Sequence, residues 1–324
     1  MGFTNFPNGI TSFGVPIFAN DVPTFFNDTY LVKKTADTDY VAFKKRYDGL
    51  TEGGQYAVCT TADEAFARAG KHDRIIFMPP DSGAHDLTTL ITIGSSQYGL
   101  KVYGAGNTMW NQRVTIKNPT TGATTDMFQV NTDKVEFAGL CFQNRQAGVC
   151  IQLGNATYMA TYQNYIHDCN FTDYGGVATF GITPGEDDAA DTSQSDAVNM
   201  VVERCCFDGF ITAGVQSNGT RDAIVDCYFK VAASGSGIKL FKHTSGRGGG
   251  VIKGNYMVGP ATATTMGIYV TDIGHAVNTM NVTDNYFQGF TTAAVPITKM
   301  TYQNGGGNWY SDAQGQWVYC DIVA

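Results

Sequence analysis

Charge is scarce in this chain. Asp, Glu, Lys and Arg make up only 15% of its 324 residues, and the net charge is −8. That balance lacks the basic footprint a nucleic-acid backbone requires, so nucleic acid is not an expected partner. Proline is sparse (9) while glycine is plentiful (38). With aliphatic, aromatic, Thr and Asn residues interleaved throughout, this mix favours many short strands over helices. No apolar run approaches the ~20 residues of a membrane-crossing helix, so membrane insertion is not expected. The opening residues lack a basic segment, and Pro7, Gly9, Gly14 and Pro16 interrupt any apolar helix, so no secretory signal is read. The myristoylation pattern fails at Phe6. The eight cysteines contain no C-x-x-C pair, and the chain is long enough to bury a sizeable core, so buried free thiols are expected.

What the chain does have is a repeat. Six segments align: VEFAGLCF (135–142), NYIHDCNF (164–171), MVVERCCF (200–207), DAIVDCYF (222–229), GVIKGNYM (250–257) and MNVTDNYF (280–287). Their first column reads Phe137, Ile166, Val202, Ile224, Ile252 and Val282. The second reads Leu140, Cys169, Cys205, Cys227, Asn255 and Asn285. The third reads Phe142, Phe171, Phe207, Phe229, Met257 and Phe287. Each segment is followed by a second short apolar run: GVCIQL, GVATFGI, GVQS, GIKLF, GIYV and AVPI, the last at 294–297. Two strands per repeat of variable length match the coil of a parallel β-helix. Stacking such coils one strand spacing apart, ~4.8 Å, lines equivalent residues into ladders. Each buried Phe then contributes on the order of 2–3 kcal/mol. Asn255 and Asn285 are expected to bond the neighbouring backbone, and Cys169, Cys205 and Cys227 to fill the same column as small hydrophobes. Stacked thiols offer no tetrahedral ligand set, so no metal site is assigned to them.

Upstream, Thr61 is expected to cap a short helix with Glu64 completing the box, and Ala62, Ala65, Phe66 and Ala69 form its apolar face. RIIFMPP and LKVYGAGN follow as strands. This order resembles the start of pectate-lyase-like right-handed β-helix domains, whose first coil is capped by an amphipathic helix. The expected architecture is therefore all-β: an N-terminal arm and linker over 1–50, a right-handed parallel β-helix over 51–300 with its capping helix near 61–69, and a C-terminal cap over 301–324. The aromatics of that last stretch fit either a cap or a subunit contact.

No catalytic set emerges. GEDDAAD (185–191), with its acidic residues at 186–191, lacks the alternating spacing of a Ca²⁺ loop and reads as a solvated insertion. Paired carboxylates of a glycoside hydrolase are not legible. His167 and Asp168 are adjacent rather than facing, and the glycine-rich KHTSGRGGG precedes no helix, which removes the context for phosphate binding. No cofactor and no metal are assigned.

The opening, MGFTNFPNGITSFGVPIFAN, is uncharged and holds four Phe. Phe3, Phe6, Pro7, Ile10, Phe13, Val15, Pro16 and Phe18 cannot pack as a helix, so they are assigned to a partner-binding arm. The basic cluster Lys33, Lys34, Lys44, Lys45 and Arg46 follows, and reads either as a steering patch or as a solvated linker. FTNFPNGITSFGVPI, together with the capping helix and irregular coils, resembles a group of tailed-phage virion proteins. The resemblance implies a non-enzymatic structural protein made in the host cytoplasm and carried on the virion, as a capsid decoration, cement or head-fibre protein. Its implied partners are the major capsid protein or neighbouring virion subunits, within a homotrimer. The alternative is a tail spike or fibre that binds or cleaves a host surface glycan.

Overall fold

The computed structural model describes residues 10–12, 15–17, 28–47, 55–106, 114–118, 126–154, 160–184, 196–217, 221–240, 249–260, 266–270, 280–290, 304–311 and 317–319. Within them the chain winds as a right-handed parallel β-helix, the hand that twisted parallel strands favour. Three parallel sheets form its walls, of eleven, ten and seven described strands. They are called sheets I, II and III here.

Each coil therefore holds three strands, not two. The aligned octets divide in the middle: Glu136–Ala138 belongs to sheet I and Cys141–Asn144 to sheet II. The cause is a sharp bend at one left-handed residue. Gly139 (φ 65°), Asp168 (53°), Arg204 (48°), Asp226 (53°), Gly254 (69°), Asp284 (57°) and Gly307 (70°) occupy this position on successive coils. Gly and Asp tolerate the left-handed region, which is why they recur there. The second apolar runs form sheet III, from Ile91–Ile93 through Val149–Leu153 and Ala213–Ser217 to Met266–Val270. AVPI (294–297) lies outside the described residues.

The interior is a set of axial ladders. Phe142, Phe171, Phe207, Phe229, Met257 and Phe287 pair in register along sheet II. The rings of Phe142, Phe171, Phe207 and Phe229 stack at 4.8 Å with interplanar angles of 12° or less. Phe137, Ile166, Val202, Ile224, Ile252 and Val282 do the same on sheet I. The bend column between the sheets runs from Leu140, Cys169, Cys205 and Cys227 to Asn255 and Asn285, and continues to Asn308; all are buried.

Both ends differ from the boundaries read in the sequence. Asp28–Val32 is a strand of sheet I, lying between Gln55–Cys59 and Arg74–Phe77, so the first coil begins inside the segment read as arm and linker. Helix α1 (Tyr40–Tyr47) follows it, with Tyr40, Phe43 and Tyr47 packed over Leu31, Val58, Ile76 and Met78 on the outside of that sheet. Its propensity is weak, and this tertiary packing is what selects it. Helix α2 (Ala62–Arg68) closes the tube: Phe66 lies 5.5 Å from the Phe128 ring and 6.4 Å from Phe77. Thr61 Oγ1 accepts from Glu64 N at 3.1 Å, but the Glu64 carboxylate takes the Thr60 N–H at 2.8 Å rather than that of Thr61. At the far end Asn304–Gly306 and Trp309–Ser311 continue sheets I and II past residue 300. Trp317–Tyr319 then pairs antiparallel with Trp309–Ser311, so the last edge of sheet II is folded back on a hairpin.

Candidate functional site

Of the assigned arm, Phe3, Phe6, Pro7, Phe13 and Phe18 lie outside the described residues. Ile10–Ser12 and Val15–Ile17 pair as a short antiparallel ladder, Ile10 opposite Ile17 and Thr11 opposite Pro16. The basic cluster behind the arm is largely engaged locally. Lys33 is buried and sits 3.1 Å from Asp37 and 2.9 Å from Asp39. Lys34 donates to the carbonyls of Ser82 and Ala84. Lys44, Lys45 and Arg46 fall in the last turn of α1, where cations complement the helix dipole. The acidic insertion 186–191 lies outside the described residues.

The densest cluster of ionisable side chains in the described structure is on the outer face of sheet I. Strand alternation turns Ile166 inward and its neighbours Tyr165 and His167 outward, and the same rule applies one coil earlier and later. His167 Nδ1 lies 2.7 Å from Asp168 Oδ2, and its Nε2 lies 3.2 Å from Glu136 Oε1 on the previous coil. Tyr103 donates to the same Glu136 oxygen at 2.9 Å, and Lys101 sits 3.1 Å from the other. On the next coil Arg204 grips both Asp168 oxygens at 2.9 Å and also pairs with Glu203. Tyr165 donates to Glu203 at 2.5 Å, and its ring stacks on His167 at 4.1 Å.

The electrostatics follow from that geometry. Burial alone would raise the Glu136 carboxyl, but hydrogen bonds from His167, Tyr103 and Lys101 prevail and hold it at about 2. Burial pulls His167 down, yet Glu136 and Asp168 more than offset this and raise the imidazole above its ordinary value. Burial would lift Asp168; Arg204 and His167 bring it down instead. Burial, then Glu203, pushes Tyr165 up to about 12. A carboxyl at about 2 has no proton to donate near neutral pH, and a doubly bonded imidazole is a poor base. Chemically, the cluster ties four coils together.

His167 and Asp168, adjacent in sequence, are thus brought into contact by the left-handed bend at Asp168. Glu136, Glu203 and Arg204 were missed as their partners, because coils of unequal length hide the spacing. The signal was in the aligned octets: Glu136 and Tyr165 share one column, His167 and Glu203 another.

Two further features complete the surface and interior. The described cysteines are free and, except for half-buried Cys206, buried. Burial pushes the Cys141 thiol up to about 11 and Cys206 to about 12, which withholds the thiolate that metal binding or nucleophilic attack needs. No group of three His, Cys, Asp or Glu suited to a metal occurs among the described residues. A groove of about 380 Å³ opens on the outside of sheet III, lined in part by Thr212, Ser234, Lys239, Met266 and Tyr269.

No family model matches the chain, and no curated protein matches its sequence. Among solved structures, the crystal structure of PfbA, a surface adhesin of Streptococcus pneumoniae, superposes with a TM-score of 0.38 at 10% identity. The superposition covers 78% of this chain and 88% of that one. Likeness at that level carries no argument, so the architecture rests on the ladders themselves.

Proposed function

We propose that this chain is a non-enzymatic structural protein of a tailed-phage virion, a capsid decoration, cement or head-fibre protein. In this reading a trimer of rigid β-helices projects from the particle, and the uncharged Phe-rich arm holds each subunit to the major capsid protein or to a neighbouring virion subunit. The observation that carries the reading is the state of the polar cluster on sheet I. Its carboxylates are paired with Arg204, Lys101 or His167 and further bonded by tyrosine hydroxyls, and they brace the coils rather than face a substrate. A tube filled from end to end by side-chain ladders, plugged by α2, suits a stiff spacer. The virion assignment itself is supported by the resemblance of FTNFPNGITSFGVPI and the coils behind it.

Deleting residues 1–18 tests the anchoring. The truncated chain is expected to keep its β-rich circular dichroism spectrum and to be lost from purified particles; unaltered incorporation would sink the idea. A second reading, a glycan-binding spike, draws support from the groove that holds Tyr269 and Lys239. Incubation with host surface glycan separates the two: retention of the protein on the glycan would favour the spike, and new reducing ends or unsaturated products would make it an enzyme as well.

A further inference from the structure

One inward position of sheet II departs from the rest of its column. His85 pairs in register with Ile116, and Ile116 with Phe142, so this histidine is the first rung of the ladder that the stacked Phe rings continue. It is 3% exposed, and its ring meets that of Phe77 at 72° with centroids 5.2 Å apart. Its Nε2 lies 2.8 Å from the Met78 carbonyl oxygen, which fixes that nitrogen as the donor. Met78 O is the imidazole's hydrogen-bond partner among the described residues. The bond joins the first and last residues of the turn MPPDSGAH (78–85). The N-terminal segment grips the same turn. Lys33 donates to Pro79 O at 3.4 Å, and Lys34 to Ser82 O at 3.3 Å and Ala84 O at 3.2 Å. Thr38 donates to Asp81 through both its N–H and its hydroxyl at 2.7 Å.

Packing alone does not ask for a histidine here, since Ile or Phe fills the same column on the next coils. The neutral imidazole suits the site, because one N–H meets Met78 O and nothing else has to be satisfied by a donor. Protonation adds a charge and a second N–H in an apolar interior. The charged neighbours do not welcome it. Lys34 is a cation held on the carbonyl of the preceding residue, Ala84. Asp37 is taken by Lys33 and by the Asp81 N–H. Asp86 points out of the tube and pairs with Lys117 at 3.0 Å, and Asp63 of α2 accepts from Thr88 and Thr89. Burial above all, helped by Lys34, holds the imidazole below its ordinary value, against the Met78 bond, Asp37 and Asp86. We propose that His85 is a latch opened by acid: its protonation displaces the turn 79–84 and releases the segment 33–47 from the first coils. The imidazolium reaches water only when the turn moves, and the turn carries with it the carbonyls and the carboxylate that Lys33, Lys34 and Thr38 hold. Helix α1 is loosened in the same step. At the end of a solenoid such opening stays local. The released segment lies between the uncharged arm and the tube, so acid would loosen the root of the arm. The inference concerns the purified chain, and loss of the virion reading would leave it standing.

Amide hydrogen exchange of the full chain, read by mass spectrometry from about pH 7.5 to about pH 5 with times matched for intrinsic exchange, is the test. A histidine lowered in the folded state supports the closed form above its ordinary value and withdraws that support as pH falls, which sets the sign. Peptides covering 28–47 and 74–86 are expected to lose protection several-fold on acidification, while peptides of the central coils keep theirs. His85→Gln retains an amide N–H for Met78 O and does not titrate, so its protection over 28–47 should stay level across the range. Exchange of the His85 C2 proton, followed in its own peptide, gives the titration of the imidazole without any variant and should place it below the ordinary histidine value. The proposal is overturned by wild-type protection over 28–47 that ignores pH, or by an equal acid response in His85→Gln. It is also overturned by a His85 imidazole that titrates at or above the ordinary value.

Discussion

In the N-terminal coils the bend between sheets I and II is filled by Leu140, Cys169, Cys205 and Cys227; in the C-terminal coils it is filled by Asn255, Asn285 and Asn308. The backbone bend is the same in both halves, and the column is buried throughout. Across coils the thiols make only long contacts, Cys205 Sγ lying 3.6 Å from Ile166 O and Cys227 Sγ 3.7 Å from Val202 O; their shorter bonds, 3.2–3.3 Å, go to the carbonyl two residues back on their own coil. The amides make short, chained ones. Asn255 Nδ2 donates at 2.9 Å both to Ile224 O and to Asn285 Oδ1, and Asn285 repeats the pattern at 3.0 Å toward Ile252 O and Asn308 Oδ1. One position in the fold thus accepts two chemistries, because a thiol asks little of its surroundings while an amide has to be satisfied by the coils on both sides.

Breaking the amide half should cost most. Asn285→Ala strands the Asn255 N–H and side-chain amide together with the Ile252 carbonyl, and is expected to lower unfolding free energy by on the order of 3–6 kcal/mol in urea. The Phe column, common to both halves, comes next. Phe207 is sandwiched between Phe171 and Phe229, and Phe207→Ala should cost about 3–5 kcal/mol by the same measurement. In the thiol half, Cys205→Ala removes one small atom group and should cost only about 1 kcal/mol.

Extending the amide chain sharpens the contrast further. Cys227→Asn would place an acceptor near the Cys205 N–H, which now reaches only Cys227 Sγ at 3.4 Å, and a donor near Val202 O. Its urea midpoint is expected to match or exceed wild type, and a loss above about 2 kcal/mol would show that the thiol coils are too tight for an amide. The smallest effect is on pH. His167 is raised in the folded state, so its contribution is fully present below the ordinary histidine value and is lost as pH rises through the raised one. Thermal stability should decline slightly across that window, by under about 1 kcal/mol, and His167→Gln should flatten the decline.

The residue order alone was enough for the β-helix, because stacking forces like residues into register and the Phe and Cys/Asn columns are the visible trace of that force. The αL bend at Gly139, Asp168 and Asp226 was less legible: it turns an unbroken octet into two strands, and only backbone geometry shows it. Helix α1 was not legible, since apart from Leu31 its apolar side chains find their partners on strands that follow it in the chain, at Val58, Ile76 and Met78. The network of Glu136, His167, Asp168 and Arg204 belongs to the same class. Its members are scattered over coils of unequal length, so no fixed spacing announces them, and only the columns of the aligned octets bring Glu136 beside Tyr165 and His167 beside Glu203. What the sequence determined by itself was the repeat and the hydrophobic ladders that drive coil stacking. Which outward side chains meet across coils was decided by the tertiary winding, because neighbours on a β-helix surface are one coil apart in space and some thirty residues apart in the chain.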